Sequence, residues 1–181
     1  MSDAADIGAR AARVRLLLFD VDGVLTDGTL IVHPDGAESK RFHIRDGTGI
    51  VWAHRAGLRT GLLSGRASAA TAQRASQLGM TIVRQDGAAK EETYRQILTE
   101  HDLVDADVAY MGDDVLDLPV LMRVGLAAAP ADAVKEVRDR VHWVSRARGG
   151  EGAARELIEL VLRAQERWEL LFGSYTGEDR A

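Results

Sequence analysis

Val14-Arg15-Leu16-Leu17-Leu18-Phe19-Asp20-Val21-Asp22-Gly23 is the stretch on which the fold turns. A short, nearly continuous apolar run that stops abruptly at Asp-x-Asp-Gly reads as a strand buried on both faces that empties into a polar turn. Strands of that kind belong to parallel sheets, and the rest of the chain has the matching rhythm. Further strands are expected at 59–63, 81–83, 108–111, 126–128 and 141–144. Helices are expected from Asp46 to Gly57 and over 67–78, 88–100, 115–123, 131–139 and 153–171. Strands alternating with helices give a three-layer, doubly wound parallel α/β sheet of Rossmann type. The rhythm has one insertion, residues 29–44, where two extended runs flank Pro34-Asp35-Gly36 and predict a β-hairpin flap. That leaves no room for a cap domain. One domain over 14–171 is expected, with a mobile lead-in at 1–13 and a polar tail at 172–181.

Composition sets the outer limits. A chain of 181 residues suits one domain, which at this size buries about 70% of its unfolded surface without a disulfide or metal staple. Hydrophobic residues make up 46% and charged residues 28%, an ordinary soluble balance. With 23 basic and 28 acidic residues the net charge is -5, which argues against nucleic acid as the main partner. No cysteine is present, which excludes a disulfide framework or a thiol nucleophile and suits the cytosol. No apolar run approaches the roughly 20 residues of a membrane span.

Four features carry chemistry: Asp20-x-Asp22-Gly23, Ser64-Gly65, Lys90, and Gly112-Asp113-Asp114-x-x-Asp117. Three of them directly follow expected strands, and open parallel sheets bind ligands at the carboxyl ends of their strands. Asp20, Asp22 and Asp113 crowd negative charge that a cation must neutralise, and hard oxygen ligands select magnesium. A phosphate group then finds that cation, the Lys90 ammonium, the Ser64 hydroxyl and loop N–H groups. This is the positioning and charge neutralisation that phosphoryl transfer requires. Asp20 suits a nucleophile and Asp22 an acid/base.

Each feature alone has a plainer reading. Asp and Gly favour turns, Ser-Gly after a strand is usually loop, and Asp113-Asp114 resembles a helix start. Lys90 opening a helix is disfavoured by the macrodipole unless an anion lies near. Asp117 suits a supporting role, toward Lys90. Arg66 reads as a solvated arginine or as a fork for a substrate carboxylate. Arg148-Gly149-Gly150 reads as a loop or as an anion site, in this subunit or a neighbour.

At these residues the chain resembles the haloacid dehalogenase superfamily of phosphatases. Asp20-Val21-Asp22-Gly23-Val24, Leu63-Ser64-Gly65-Arg66, Lys90 and Gly112-Asp113-Asp114 match its four motifs in order. The resemblance implies metal contacts from the Asp20 side chain, the Asp22 backbone carbonyl and Asp113, with Asp114 holding a metal-bound water. The stretches DVDGVLTD from Asp20, KRFHIRDGTGI from Lys40 and GGEGAARE from Gly149 narrow it to the capless sugar-acid phosphatases of 3-deoxy-D-manno-octulosonate 8-phosphate. That family implies magnesium, a place in lipopolysaccharide biosynthesis, substrate contacts at Arg66 and Arg148, and a homotetramer whose hairpins roof neighbouring sites. A nine-carbon ketodeoxy-sugar 9-phosphate stays open as substrate, although relatives of that kind can carry glutamate at the Arg66 position. His43 departs from the asparagine expected there. A receiver-like signalling domain also gathers acids, a lysine and magnesium, but its acidic pair follows the first strand and its acceptor the third.

Overall fold

Leu16–Phe19 forms the central strand, β1, buried along its whole length. Successive side chains of a strand point to opposite faces. Leu17 and Phe19 therefore enter one core, and Leu16 and Leu18 enter the other. The structure, a computed structural model, describes residues 4–85 and 89–177. Among them β4 (Arg59–Leu63), β5 (Ile82–Arg84), β6 (Val108–Met111), β7 (Leu126–Ala129) and β8 (Trp143–Val144) join β1 in one sheet. Its order is β5-β4-β1-β6-β7-β8, and every neighbouring pair is parallel. The chain runs outward from β1 to β4 and β5, then returns to β6 on the other side of β1. That reversal opens a crevice at the carboxyl ends of β1, β4 and β6.

Helices cover both faces. α2 (Ile44–Arg55) and α7 (Ala153–Ala164) pack together over the Leu17–Phe19 side. α7 presents Leu157, Ile158, Val161 and Leu162, all buried, at the spacing of one helical face. α4 (Lys90–His101) and α5 (Leu118–Leu121) cover the Leu16–Leu18 side. α3 (Ala69–Gln77) adds Ala75 to the first core, and α6 (Lys135–Arg138) adds Val137 to the second.

The helices expected over 115–123 and 131–139 are short, at 118–121 and 135–138, and the chain departs further from the expected elements at three places. Residues 4–12, expected as lead-in, form helix α1 (Ala4–Ala12). It is docked: Ala11 is buried, and the Arg10 guanidinium donates to the Gly125 carbonyl at 2.8 Å. The helix expected over 153–171 is two helices, because Glu166 takes a left-handed conformation (φ 58°). Gln165 stops α7 there by donating to the Val14 and Ala11 carbonyls at 2.7 and 3.2 Å. α8 (Trp168–Thr176) then takes up residues 172–176 of the expected tail. Residues 1–3, the start of the helix expected at 88, and 178–181 lie outside the described residues.

The flap is the third. Only β2 (Ile31–Val32) and β3 (Glu38–Ser39) pair, antiparallel, with Ile31 opposite Ser39 and Val32 opposite Glu38. Beyond Ser39 the chain turns toward the sheet, Phe42 packs against the core, and α2 begins at Ile44. The single apolar hairpin face expected from Leu30, Val32, Phe42 and Ile44 therefore does not form. Leu30, Ile31 and Val32 remain exposed on the flap.

Candidate active site

Three of the four motifs leave a strand and turn into the crevice. Asp20 follows β1, Ser64 and Gly65 follow β4, and Asp113 follows β6 by two residues. Together with Asp22, Arg66, Lys90, Asp114, Leu116 and Asp117 they line one open cleft of about 230 Å³. All but Leu116 are residues that the sequence points to, and the fold brings them together.

Lys90 is the first residue of α4 and is buried. A cation there opposes the helix dipole, and it is met by two carboxylates. Its Nζ lies 2.6 Å from Asp117 Oδ1 and 3.1 Å from Asp20 Oδ1. Burial alone would lower the ammonium's pKa, but those two carboxylates outweigh it and hold it above its ordinary value.

Asp117 is fully buried and fully used. Oδ1 accepts from Lys90 and from the Tyr110 hydroxyl at 2.5 Å. Oδ2 accepts the backbone N–H groups of Asp113 at 3.0 Å and Asp114 at 3.2 Å. One carboxylate thereby fixes both the lysine and the loop that carries Asp113. Tyr110 is a site residue that the sequence reading missed. It is an interior position of a buried strand, and no pattern sets it apart from its apolar neighbours.

Carboxylate oxygens of Asp20, Asp113 and Asp117 lie within 4.8 Å of one another. Burial pushes the Asp20 carboxyl up to about 7; the Asp117 carboxylate adds to this, and Lys90 only partly offsets it. Burial, then Asp20, Asp117 and Asp114, push Asp113 up to about 8. Asp113 Oδ1 is buried and has no hydrogen-bond partner. Four donors already fill Asp117, so the acceptors left for a cation are those of Asp20 and Asp113. A hard divalent cation fits this all-oxygen pair. Gly23 leaves room for the Asp113 carboxylate: it has a positive φ of 86°, and a Cβ there would stand 2.1 Å from Asp113 Oδ2. Asp114 caps the turn that follows, accepting from the Val115 N–H at 2.6 Å.

On the opposite wall Ser64 Oγ accepts from the Arg66 N–H at 3.2 Å, which folds the Ser64-Gly65-Arg66 loop over the cleft. The Arg66 guanidinium reaches toward Asp22, with Nε 3.9 Å from Oδ2, and donates to Glu38 of the flap. Asp22 itself is held by Lys40, whose Nζ reaches both carboxylate oxygens at 2.7 and 2.9 Å. Glu38 and Lys40 are further contacts that the motifs did not reveal.

Arg148 is not among the cleft residues. Its Nε lies 3.2 Å from Asp132 Oδ2. The N–H groups expected to be open for an anion are taken: Gly149 donates to Asp132 at 2.9 Å and Gly150 to the Val24 carbonyl at 2.9 Å. A Cβ on Gly149 would stand 1.8 Å from the Gly23 carbonyl oxygen, so the paired glycines serve close packing against the Asp20–Asp27 loop. His43 precedes α2, outside the cleft, with Nδ1 3.9 Å from Asp46.

No family model matches the chain. Individual relatives do. A 3-deoxy-D-manno-octulosonate 8-phosphate phosphatase, KdsC, of Yersinia pestis is 39% identical over 166 residues, covering 92% of this chain and 89% of the relative. The crystal structure of the Y. pestis phosphatase superposes with a TM-score of 0.89 at 39% identity, covering 91% of this chain and 89% of that one. The phosphatase from Moraxella catarrhalis, solved in complex with magnesium ion, phosphate ion and KDO, superposes at 0.93 with 28% identity, covering 96% of this chain and 99% of that one. With Asp20, Ser64, Lys90 and Asp113 gathered at the carboxyl ends of one parallel sheet, and relatives this similar, the chain belongs to the 3-deoxy-D-manno-octulosonate 8-phosphate phosphatase family of the haloacid dehalogenase superfamily.

Proposed function

We propose that this protein is a magnesium-dependent phosphomonoesterase that hydrolyses 3-deoxy-D-manno-octulosonate 8-phosphate to the free sugar acid and phosphate. The observation that carries the reading is the cleft itself. It sets a buried aspartate beside a buried lysine and an unpartnered aspartate oxygen, with an arginine at the rim. An Asp20 carboxylate oxygen attacks phosphorus, and the bond from phosphorus to the sugar oxygen breaks. Asp22 gives its proton to the departing alkoxide. It then takes a proton from the water that attacks phosphorus and frees Asp20. Ser64, Gly65 and Lys90 hold the phosphoryl oxygens. Asp20, the Asp22 backbone carbonyl and Asp113 would hold magnesium, with Asp114 steadying its water; when bound, the ion neutralises the charge of the acids and the phosphate.

Arg66 is assigned to the substrate carboxylate, since a guanidinium fork matches a carboxylate with two parallel bonds. Its presence favours the eight-carbon acid over the nine-carbon one. The working form is a homotetramer in the cytosol: exposed Leu30, Ile31 and Val32 need cover, and exposed Arg148 can serve a neighbour's site. No helix among the described residues is long and apolar enough to cross a membrane. Phosphate release is to be compared across eight- and nine-carbon sugar-acid phosphates, with and without magnesium. Preference for the eight-carbon ester with magnesium is expected. Equal rates on neutral sugar phosphates would overturn the substrate assignment. Light scattering tests the tetramer, and an active monomer would remove it.

A further inference from the structure

Lys40 stands outside every motif that brought the cleft together, yet the fold invests in it. Its side chain has 0% exposure, and both of its bonds run to Asp22, at 2.7 and 2.9 Å. Burying an ammonium is costly unless its partner is close and well oriented, so this contact is built and not incidental. The two residues come from different parts of the molecule. Asp22 sits on the loop after β1, and Lys40 sits one residue beyond β3 of the flap. The Asp22 carboxylate is therefore aimed from the flap, and not from the sheet that carries Asp20. Arg66, at 3.9 Å and itself bound to Glu38 of the flap, is a weaker neighbour.

We infer that Lys40 is a positioning residue for proton transfer by Asp22, so that the flap and the acid/base act as one unit. The inference rests on the proposed role of Asp22. As the phosphorus–oxygen bond breaks, the proton moves from the Asp22 carboxyl to the sugar oxygen; Lys40 neither gives nor accepts it. Holding both oxygens of Asp22 removes rotation that would otherwise carry the acid out of line with the departing oxygen.

The test uses the full chain with magnesium, as wild type, Lys40→Met, Lys40→Arg, Asp22→Asn and Asp22→Asn with Lys40→Met. Single-turnover rates are measured on the sugar-acid ester and on phenyl phosphates of increasing leaving-group acidity. Lys40→Met is expected to slow the sugar ester about 10- to 100-fold, part of the range that proton transfer supplies. KM should move less than about threefold, the mark of an interaction made in the transition state. The loss should shrink as the leaving group becomes more acidic, since less proton transfer is needed. Lys40→Arg should recover part of the rate. In the Asp22→Asn background Lys40→Met should cost no more than about twofold, because no acid is left to aim.

An equal loss on every leaving group, or the full loss repeated in the Asp22→Asn background, overturns the inference and makes Lys40 a residue of phosphate binding or of the fold. Should Lys40→Met fail to fold, Lys40→Arg and Lys40→Gln answer the same comparison. Full activity of Asp22→Asn alone would instead defeat the acid/base reading beneath it.

Discussion

Replacing Asp117 with alanine is expected to destabilise the protein by about 3–5 kcal/mol, from three buried donors left without this partner at about 1–3 kcal/mol each, less the repulsion relieved. The structure supplies the terms. Four donors converge on this carboxylate: Lys90, Tyr110 and the N–H groups of Asp113 and Asp114. Lys90 keeps Asp20 at 3.1 Å, so the ammonium is not orphaned. The Tyr110 hydroxyl and the two N–H groups lose this partner, at about 1–3 kcal/mol for each group that water does not reach. One effect opposes the loss. Asp117 is among the groups that raise Asp20 and Asp113, so removing it relieves repulsion where no cation is bound. Saturating magnesium suppresses that term and should be present. Urea denaturation at neutral pH is the assay, and the corresponding fall in Tm is about 6–20 °C for a chain of this size. Asp117→Asn keeps an acceptor oxygen and should lose less. A loss below about 1 kcal/mol for the alanine variant, with magnesium bound, would refute Asp117 as the hub of the site.

Asp20→Asn should abolish phosphate release, because an amide does not attack phosphorus; retained turnover in a steady-state assay would sink the nucleophile assignment. In the metal-free protein the folded-state values of about 7 for Asp20 and about 8 for Asp113 lie above the ordinary 3.8. The folded state then binds more protons, so stability is greatest at low pH within that window and falls as pH rises through 7 and 8. Calorimetry at pH 6 and 9 should show a lower metal-free Tm at pH 9 and a larger gain from magnesium there, and Asp113→Asn should flatten the difference; a magnesium gain independent of pH would contradict the cation site. Arg66→Ala should lower kcat/KM on the sugar-acid ester by about 10²-fold or more if the carboxylate pair is buried, and Arg66→Lys should recover only part. Esters without a carboxylate should barely change, and an equal loss on both kinds would reassign Arg66 to the phosphate or the fold.

Both the chemistry and the frame that holds it were legible in the primary structure. Asp20, Ser64 and Asp113 each stand just past an apolar run, and parallel strands place their carboxyl ends along one edge of a sheet. Linear order was enough to bring them together with Lys90, because a buried strand and the turn that ends it are local signals. Tertiary structure alone decided the partners. Lys40 closes on Asp22 and Glu38 on Arg66 because a flap of two paired residues per strand folds back over the crevice, too short to carry any periodicity. Tyr110 becomes part of the site only because β6 lies beside β1 and faces Lys90 and Asp117. Gly149 and Gly150 read as a plain loop or an open anion site, yet their N–H groups go to Asp132 and to the Val24 carbonyl, and their bare Cα atoms pack closely against the Asp20–Asp27 loop. The break at Glu166 carries no glycine or proline to announce it; Gln165 ends the helix by reaching carbonyls of residues 11 and 14. Local pattern specifies where a strand stops and which acid follows it, whereas which charge meets which depends on distances that exist only after the chain has folded.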